Sequence, residues 1–193
     1  MIFHLVFSYR VLFILGMFDF ERYFIFSVDK MLAFLVKKLR ILGFDVYLRQ
    51  DEDDLFYFIE KSILQNRFLI TSSFKLLTTV LNTKRYKPYF DKIIFINFEV
   101  VNKDSIIDLI KYIFSFLFRF YNLENVKYKE LIDFIYQNKL SRCLICNFKV
   151  VLKDNNLYYC ANCDKYYWEG SHHRNINFFI DSVIYELSDF YLK

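Results

Sequence analysis

"RYFIFSVDKMLAFLVKKLRILGFDVYLR" occupies residues 22–49 and changes its period twice. Residues 22–28 form a short β-favouring run. From Asp29 to Gly43 the leucines at 32, 35, 39 and 42 recur at helical spacing, with Lys37, Lys38 and Arg40 largely to one side. "FDVYLR" (44–49) returns to a strand-like run. The chain holds three glycines and one proline, so each marks a place where the backbone is constrained. Gly43 reads as the left-handed cap that ends the helix. Strand, helix, strand is the repeating unit of a parallel sheet, whose crossovers need a connection of about this length.

The alternation continues downstream. It predicts a helix in "DDLFYFIEKSILQ" (53–65), a strand in "RFLIT" (67–71), a helix from Ser73 to Leu81, a strand in "KIIFINF" (92–98) and a long apolar helix in "KDSIIDLIKYIFSFLFRF" (103–120). Asp108, Lys111 and Arg119 interrupt that last helix, which argues for buried core or an interface rather than a membrane span. The expected fold is α/β, a parallel sheet flanked by helices over residues 21–122. A connecting helical segment (123–140), a small cysteine module (141–176) and a C-terminal helix (177–193) complete the expected organisation. Residues 1–20 are strongly apolar, but Arg10 interrupts them and no small-residue cleavage site follows. They read as an extension rather than a signal peptide or span, and Met17 offers an alternative start.

All four cysteines lie in "CLICNFKVVLKDNNLYYCANC" (143–163), as two C-x-x-C pairs separated by thirteen residues. Each pair forms a tight knuckle that aims two thiolates at one ion. Cys143, Cys146, Cys160 and Cys163 therefore read as a structural zinc site, ahead of two disulfides or a redox pair. Four thiolates leave zinc no open position, so any reaction belongs elsewhere on the chain.

The net charge of +4 permits a nucleic-acid partner without requiring one. The 25 phenylalanines and 16 tyrosines accompany many Lys, Ile and Asn residues, a general compositional drift, so aromatic content alone says nothing about base stacking. Ligands of open parallel sheets collect at the carboxyl ends of the strands, where the strand order reverses. Asp29 directly follows the first strand, where an aspartate serves either as a helix cap or as a crevice acid. The run "DEDD" (51–54) opens the second helix, with the same two readings. Carboxylates that converge on one crevice can hold magnesium or manganese for phosphodiester hydrolysis.

The stretch "FSVDKMLAFLVKKLRILGFDV", the acid-opened second helix, "LITSSFKLL" and the ending "YYWEGSH" together resemble the Mut-seven C-terminal RNase-domain family, which are PIN-like folds with an appended zinc ribbon. The likeness covers about residues 22–175. It implies a metal-dependent nuclease-type domain acting on RNA. Separately, the expected location is the cytoplasm, with no membrane partner unless through the N-terminal extension. The family's first acid falls on Asp29 and its second within the pair Asp53 and Asp54. Where the family usually has threonine, arginine and aspartate after the third strand, this chain has Thr71, Ser72 and Ser73. Serine cannot supply the negative charge that offsets a divalent ion, so the implied site is short of an anion. The alternative is a degenerate domain that binds RNA, or an RNA-processing partner, without cutting. The family's glycine after the first acid is here Lys30, and Glu99 is the nearest acid after the fourth strand.

Lys30, Lys37, Trp168, His172 and Arg174 are the candidate RNA contacts. Trp168 either covers the small zinc core or stacks on a base. Gly170 reads as a turn. Between residues 137 and 175 six Lys/Arg face three Asp/Glu, a local excess that favours RNA.

Overall fold

The computed structural model describes residues 18–99, 105–124, 126–154, 157–168 and 171–191, with the backbone alone at 126, 154, 168, 171–173 and 190–191. Residues 1–17 and Gly170, both given a reading above, lie outside it.

Asp19 caps a short helix, α1 (Phe20–Tyr23), so the first strand narrows to β1 (Ile25–Val28). After Asp29 a single 3-10 turn (Lys30–Leu32) leads into α2 (Ala33–Ile41). Gly43, at φ 94°, closes that helix: its N–H donates to the Arg40 carbonyl at 3.0 Å, and the Phe44 N–H reaches Leu39 at 3.1 Å. This pair of bonds is a Schellman cap, and it satisfies carbonyls that the helix leaves orphaned. The chain then runs β2 (Asp45–Leu48), α3 (Leu55–Leu64), β3 (Phe68–Thr71), α4 (Phe74–Asn82), β4 (Ile93–Phe95) and α5 (Ile106–Tyr121).

The strands pair in parallel in the order β2-β1-β3-β4. Because side chains alternate along a strand, the sheet feeds two cores. Phe26, Val28, Val46, Phe68, Ile70 and Ile94 pack on one face with α2, α5, α6 (Val126–Asn138) and α7 (Ser171–Tyr191). Leu69 and Ile93 face the other way, against Phe58 and Ile59 of α3, Leu76 and Val80 of α4, and Tyr86 and Tyr89. Helix α5 buries Leu109, Ile110, Ile113, Phe114, Leu117 and Phe118, so its apolar run is core. Among the described residues, no helix is long and apolar enough to cross a membrane. Helix α7 starts at Ser171, not at 177, so the run Ser171–Arg174 opens a helix instead of trailing from the cysteine module.

That module is an antiparallel sheet, β5 (Val151–Asp154), β6 (Leu157–Cys160) and β7 (Lys165–Trp168), joined to two cysteine knuckles. It docks against β2, the edge of the main sheet. A sheet edge exposes unpaired peptide groups, and here they are met by side chains. The Val46 N–H donates to Asn147 Oδ1 at 3.0 Å, while the Val46 carbonyl accepts from Arg40 Nε at 3.2 Å and Nη2 at 2.7 Å. Arg40 Nη1 donates to the carbonyls of Leu144 and Ile145 at 2.9 and 2.8 Å, inside the first knuckle. Arg40 is thus buried, 5% exposed, and does not share the solvent side with Lys37 as helical spacing suggests. Asp45 completes the seam, accepting from Arg67 Nη1 at 2.5 Å, Asn147 Nδ2 at 2.9 Å and Arg142 Nη1 at 3.4 Å.

Candidate functional site

The chain leaves β1 toward β2, on one side, and leaves β3 toward β4, on the other. The connections therefore part at the carboxyl ends of β1 and β3, where a parallel sheet opens a crevice. Asp29 follows β1 and Thr71 ends β3; both are buried, at 3% and 0% exposed. Thr71 Oγ1 donates to Asp29 Oδ2 at 3.0 Å and accepts the Ser73 N–H at 3.0 Å. Asp29 Oδ1 accepts the Lys30 N–H at 2.9 Å and faces Arg49 Nη1 at 3.4 Å. The Asp29 carboxylate thus caps the 3-10 turn, the first of the two alternatives that the sequence presents for it, and does so where the strand order reverses.

The run after β2 is used in three ways. Asp51 pairs with the Lys30 ammonium at 2.6 Å on the surface, and that partner holds its carboxyl below the usual carboxylate range. Asp53 Oδ2 accepts from the Tyr47 hydroxyl and from the Gln50 N–H, and its backbone carbonyl accepts from Arg49 Nε at 3.3 Å and Nη2 at 3.2 Å. Burial, then the Asp53 bond, pushes the Tyr47 hydroxyl above its ordinary pKa, against the pull of Lys61, whose ammonium lies 3.8 Å from the ring centroid. Asp54 Oδ1 accepts the Tyr57 N–H at 2.7 Å and caps α3. Ser73 Oγ caps α4 by accepting from the Leu76 N–H at 3.3 Å.

Asp29, Thr71, Arg49, the Ser73 amide and the Asp53 carbonyl therefore form one bonded cluster. Lys30 stands beside it, tied to Asp51. Lys37, on α2, is exposed, as are Arg174, near the start of α7, and Glu99 after β4. The side chains of Trp168 and His172 lie outside the described residues.

As built, the crevice does not fit a divalent cation. Both oxygens of Asp29 already accept from protein donors, and the Arg49 guanidinium stands 3.4 Å from Oδ1. Among the described residues, no carboxylates gather in threes; the four cysteines are the group with metal-ligand geometry.

That second group fits a metal well. The ligand atoms of Cys143, Cys146, Cys160 and Cys163 lie within 4.8 Å of one another, with Sγ–Sγ distances of 3.4 Å for Cys143–Cys163 and Cys146–Cys160 and 3.8 Å for Cys146–Cys163. A zinc tetrahedron with bonds of about 2.3 Å has edges of about 3.8 Å. All four cysteines are free thiols. Burial works to raise the Cys143 thiol, but the Cys146 N–H, the Tyr167 hydroxyl at 3.0 Å, the Ile145 N–H and the Cys163 thiol bring it down to about 6. Burial and the neighbouring sulfurs of Cys143, Cys160 and Cys146 raise Cys163 instead. Charge on one sulfur thus opposes charge on the next, an opposition that a bound cation removes.

Sequence reasoning passed over Arg49, Tyr47, Arg40 and Asn147. The signal for Arg49 was its place at the end of β2 beside an acidic run, where a long cation can reach back to the neighbouring strand's carboxylate.

No curated protein and no solved structure matches the chain. The family model described as the Mut7-C RNAse domain matches residues 25–156, from the first residue of β1 through the first cysteine knuckle and β5. That span takes in the parallel sheet, the Asp29 crevice and the seam that joins them to the ribbon, and with more than half of its length matched the chain belongs to the Mut7-C RNAse domain family.

Proposed function

We propose that this protein acts on RNA as a ribonuclease-type domain whose working surface is the crevice at the carboxyl ends of β1, β2 and β3. The observation that carries the proposal is the buried Asp29 carboxylate at the reversal of strand order, oriented by Thr71 and faced by Arg49. A carboxylate in such a place is costly unless it is compensated, and ligands of parallel sheets bind there. In this reading residues 21–122 carry the reaction centre. Asp29 is its acid, Asp53 and Asp54 at the start of α3 are the further candidate acids, Thr71 orients Asp29, and Lys30 and Arg49 meet the phosphate. Zinc on the four cysteines is structural, suited to the reducing cytoplasm, and the ribbon with Lys37, Trp168, His172 and Arg174 extends the RNA-binding surface. Magnesium or manganese at Asp29 would supply charge neutralisation, and Arg49 stands in its way.

A specific observation favours a second reading, RNA binding with little or no cleavage. Ser73 stands where an anion is implied, and its hydroxyl caps α4.

The two readings separate on one experiment. Cleavage and binding of a labelled RNA are measured with and without manganese, for wild type, Asp29→Asn and Ser73→Asp. Cleavage by the wild type that Asp29→Asn abolishes supports the nuclease. Binding that survives Asp29→Asn, falls steeply with salt and is never accompanied by cleavage, even in Ser73→Asp, supports the binder. Neither binding nor cleavage by the folded, zinc-loaded protein overturns both.

A further inference from the structure

Among the causes of the disagreement between the crevice and a divalent ion, one lies in a single charged side chain. Arg49 is anchored at both ends. Its backbone N–H donates to the Val28 carbonyl at 3.0 Å, and Nε and Nη2 both donate to the Asp53 carbonyl, at 3.3 and 3.2 Å. The guanidinium carbon lies 5.7 Å from the centroid of the Phe58 ring, so an aromatic wall backs it. This fixation leaves Nη1 aimed at Asp29 Oδ1 at 3.4 Å, with the Arg49 side chain 20% exposed and that of Asp29 only 4%. The pair is therefore sheltered from the solvent that screens surface ion pairs, and a planar fork held on three sides loses little freedom in keeping the position.

We propose that Arg49 is an internal competitor for the cation position at Asp29, a built-in counter-ion that sets how weakly a divalent metal is taken. The inference rests on the reading of Asp29 as the crevice acid. A dication approaching Oδ1 meets a positive charge within contact distance of that oxygen, so it must either displace the guanidinium or bind beside it. Either route lowers its affinity. The neighbouring charges do not reverse this: Asp51 is already paired with Lys30, the Asp53 carboxylate is held by the Tyr47 hydroxyl and the Gln50 N–H while its carbonyl holds Arg49, and Ser73 brings no charge. Removing the guanidinium while keeping a polar side chain should free the Oδ1 side of a buried carboxylate that Thr71 continues to orient through Oδ2.

The test reads metal binding without RNA, so its failure is distinguishable from failure of the ribonuclease reading, which cleavage decides. Manganese binding to the zinc-loaded full chain is measured by the loss of free-ion electron paramagnetic resonance signal, for wild type, Arg49→Gln, Arg49→Lys and the double variant Arg49→Gln/Asp29→Asn. Arg49→Gln should bind manganese at least tenfold more tightly than wild type, Arg49→Lys should stay near wild type because it keeps the charge, and the double variant should lose the gain. Affinity in folded Arg49→Gln equal to or below that of wild type overturns the proposal, as does a gain that survives loss of the Asp29 carboxylate. Should Arg49→Gln fail to fold, the wild type still decides the matter. Magnesium titration should shift the Arg49 Nε–H resonance with the same midpoint as the Asp29 carboxyl carbon, and an Arg49 resonance that stays still while Asp29 responds overturns the proposal.

Discussion

Thr71 donates its hydroxyl to the Asp29 carboxylate at 3.0 Å across the point where the chain leaves β1 and β3 in opposite directions. The same oxygen accepts the Ser73 N–H at 3.0 Å, so one buried hydroxyl serves two strands' ends. Thr71→Val keeps the shape but strands a buried acceptor and a backbone donor. It should destabilise the protein by about 1 to 3 kcal/mol, the usual range for a buried polar group left unpaired. Thr71→Ser should stay near wild type. Urea unfolding midpoints compare the three proteins, and a Val variant as stable as the Ser variant would show that the hydroxyl is dispensable.

The cysteine group should hold about one zinc per chain, by the four-ligand geometry. Chelation should loosen the knuckles and also uncover the edge strand, because Asn147 and the carbonyls of Leu144 and Ile145 are what Val46 and Arg40 bind. Amide exchange at Val46 should then accelerate together with the ribbon amides, while Ile70 in the sheet interior keeps its protection. A Val46 amide as protected without zinc as with it would contradict the coupling.

Asp45 carries an acid-dependent part of the stability. Burial acts to raise its pKa, but Arg67, Asn147 and Arg142 outweigh it and hold the carboxyl below its usual value. A depressed folded-state pKa contributes stability that is present above the unfolded value of about 3.9 and lost as pH falls through the folded one. Asp45→Asn should therefore cost about 1.5 to 3 kcal/mol at pH 7, the range for bonds to a charged group, and the gap to wild type should close below about pH 4. Thermal unfolding from pH 7 to pH 3 measures it; a gap independent of pH would assign the loss to shape instead of charge.

Gly43 should tolerate no side chain. Its φ of 94° is unfavourable for L-residues, and a Cβ there would stand 2.5 Å from the Asn138 carbonyl oxygen at the end of α6. Gly43→Ala should cost about 2 to 5 kcal/mol, adding backbone strain to overpacking. Calorimetry on the zinc-loaded protein would show the loss as a lowered Tm, and an unchanged Tm would mean that α6 gives way freely.

The sheet was legible in the sequence because period and punctuation agreed: leucines at 32, 35, 39 and 42 close at Gly43, which is the Schellman glycine. The cysteine cluster was legible because its spacing admits few geometries. Arg40 was not, since helical spacing tells which way a side chain leaves the helix but not that a knuckle a hundred residues later will cover it. Arg49 escaped for a related reason. Alternation assigns strand residues to faces, whereas Arg49 acts past the end of its strand, through a long side chain reaching sideways to Asp29. The early start of α7 was hidden because Ser171, His172 and His173 carry no apolar period of their own.

The partners of the β2 edge have a consequence for synthesis. Val46 and Asn147 are 101 residues apart, so at about 5 to 20 residues per second the ribosome delivers the covering side chain roughly 5 to 20 s after the edge it covers. During that interval the Val46 carbonyl can be met by Arg40, but its N–H waits bare while β1 and β3 are already available to pair. A neighbouring nascent chain on the same message presents the same edge in the same state. Slow translation between the sheet and the first knuckle thus lengthens exposure to strand pairing between copies, whereas a chain that finishes quickly seals its own edge first.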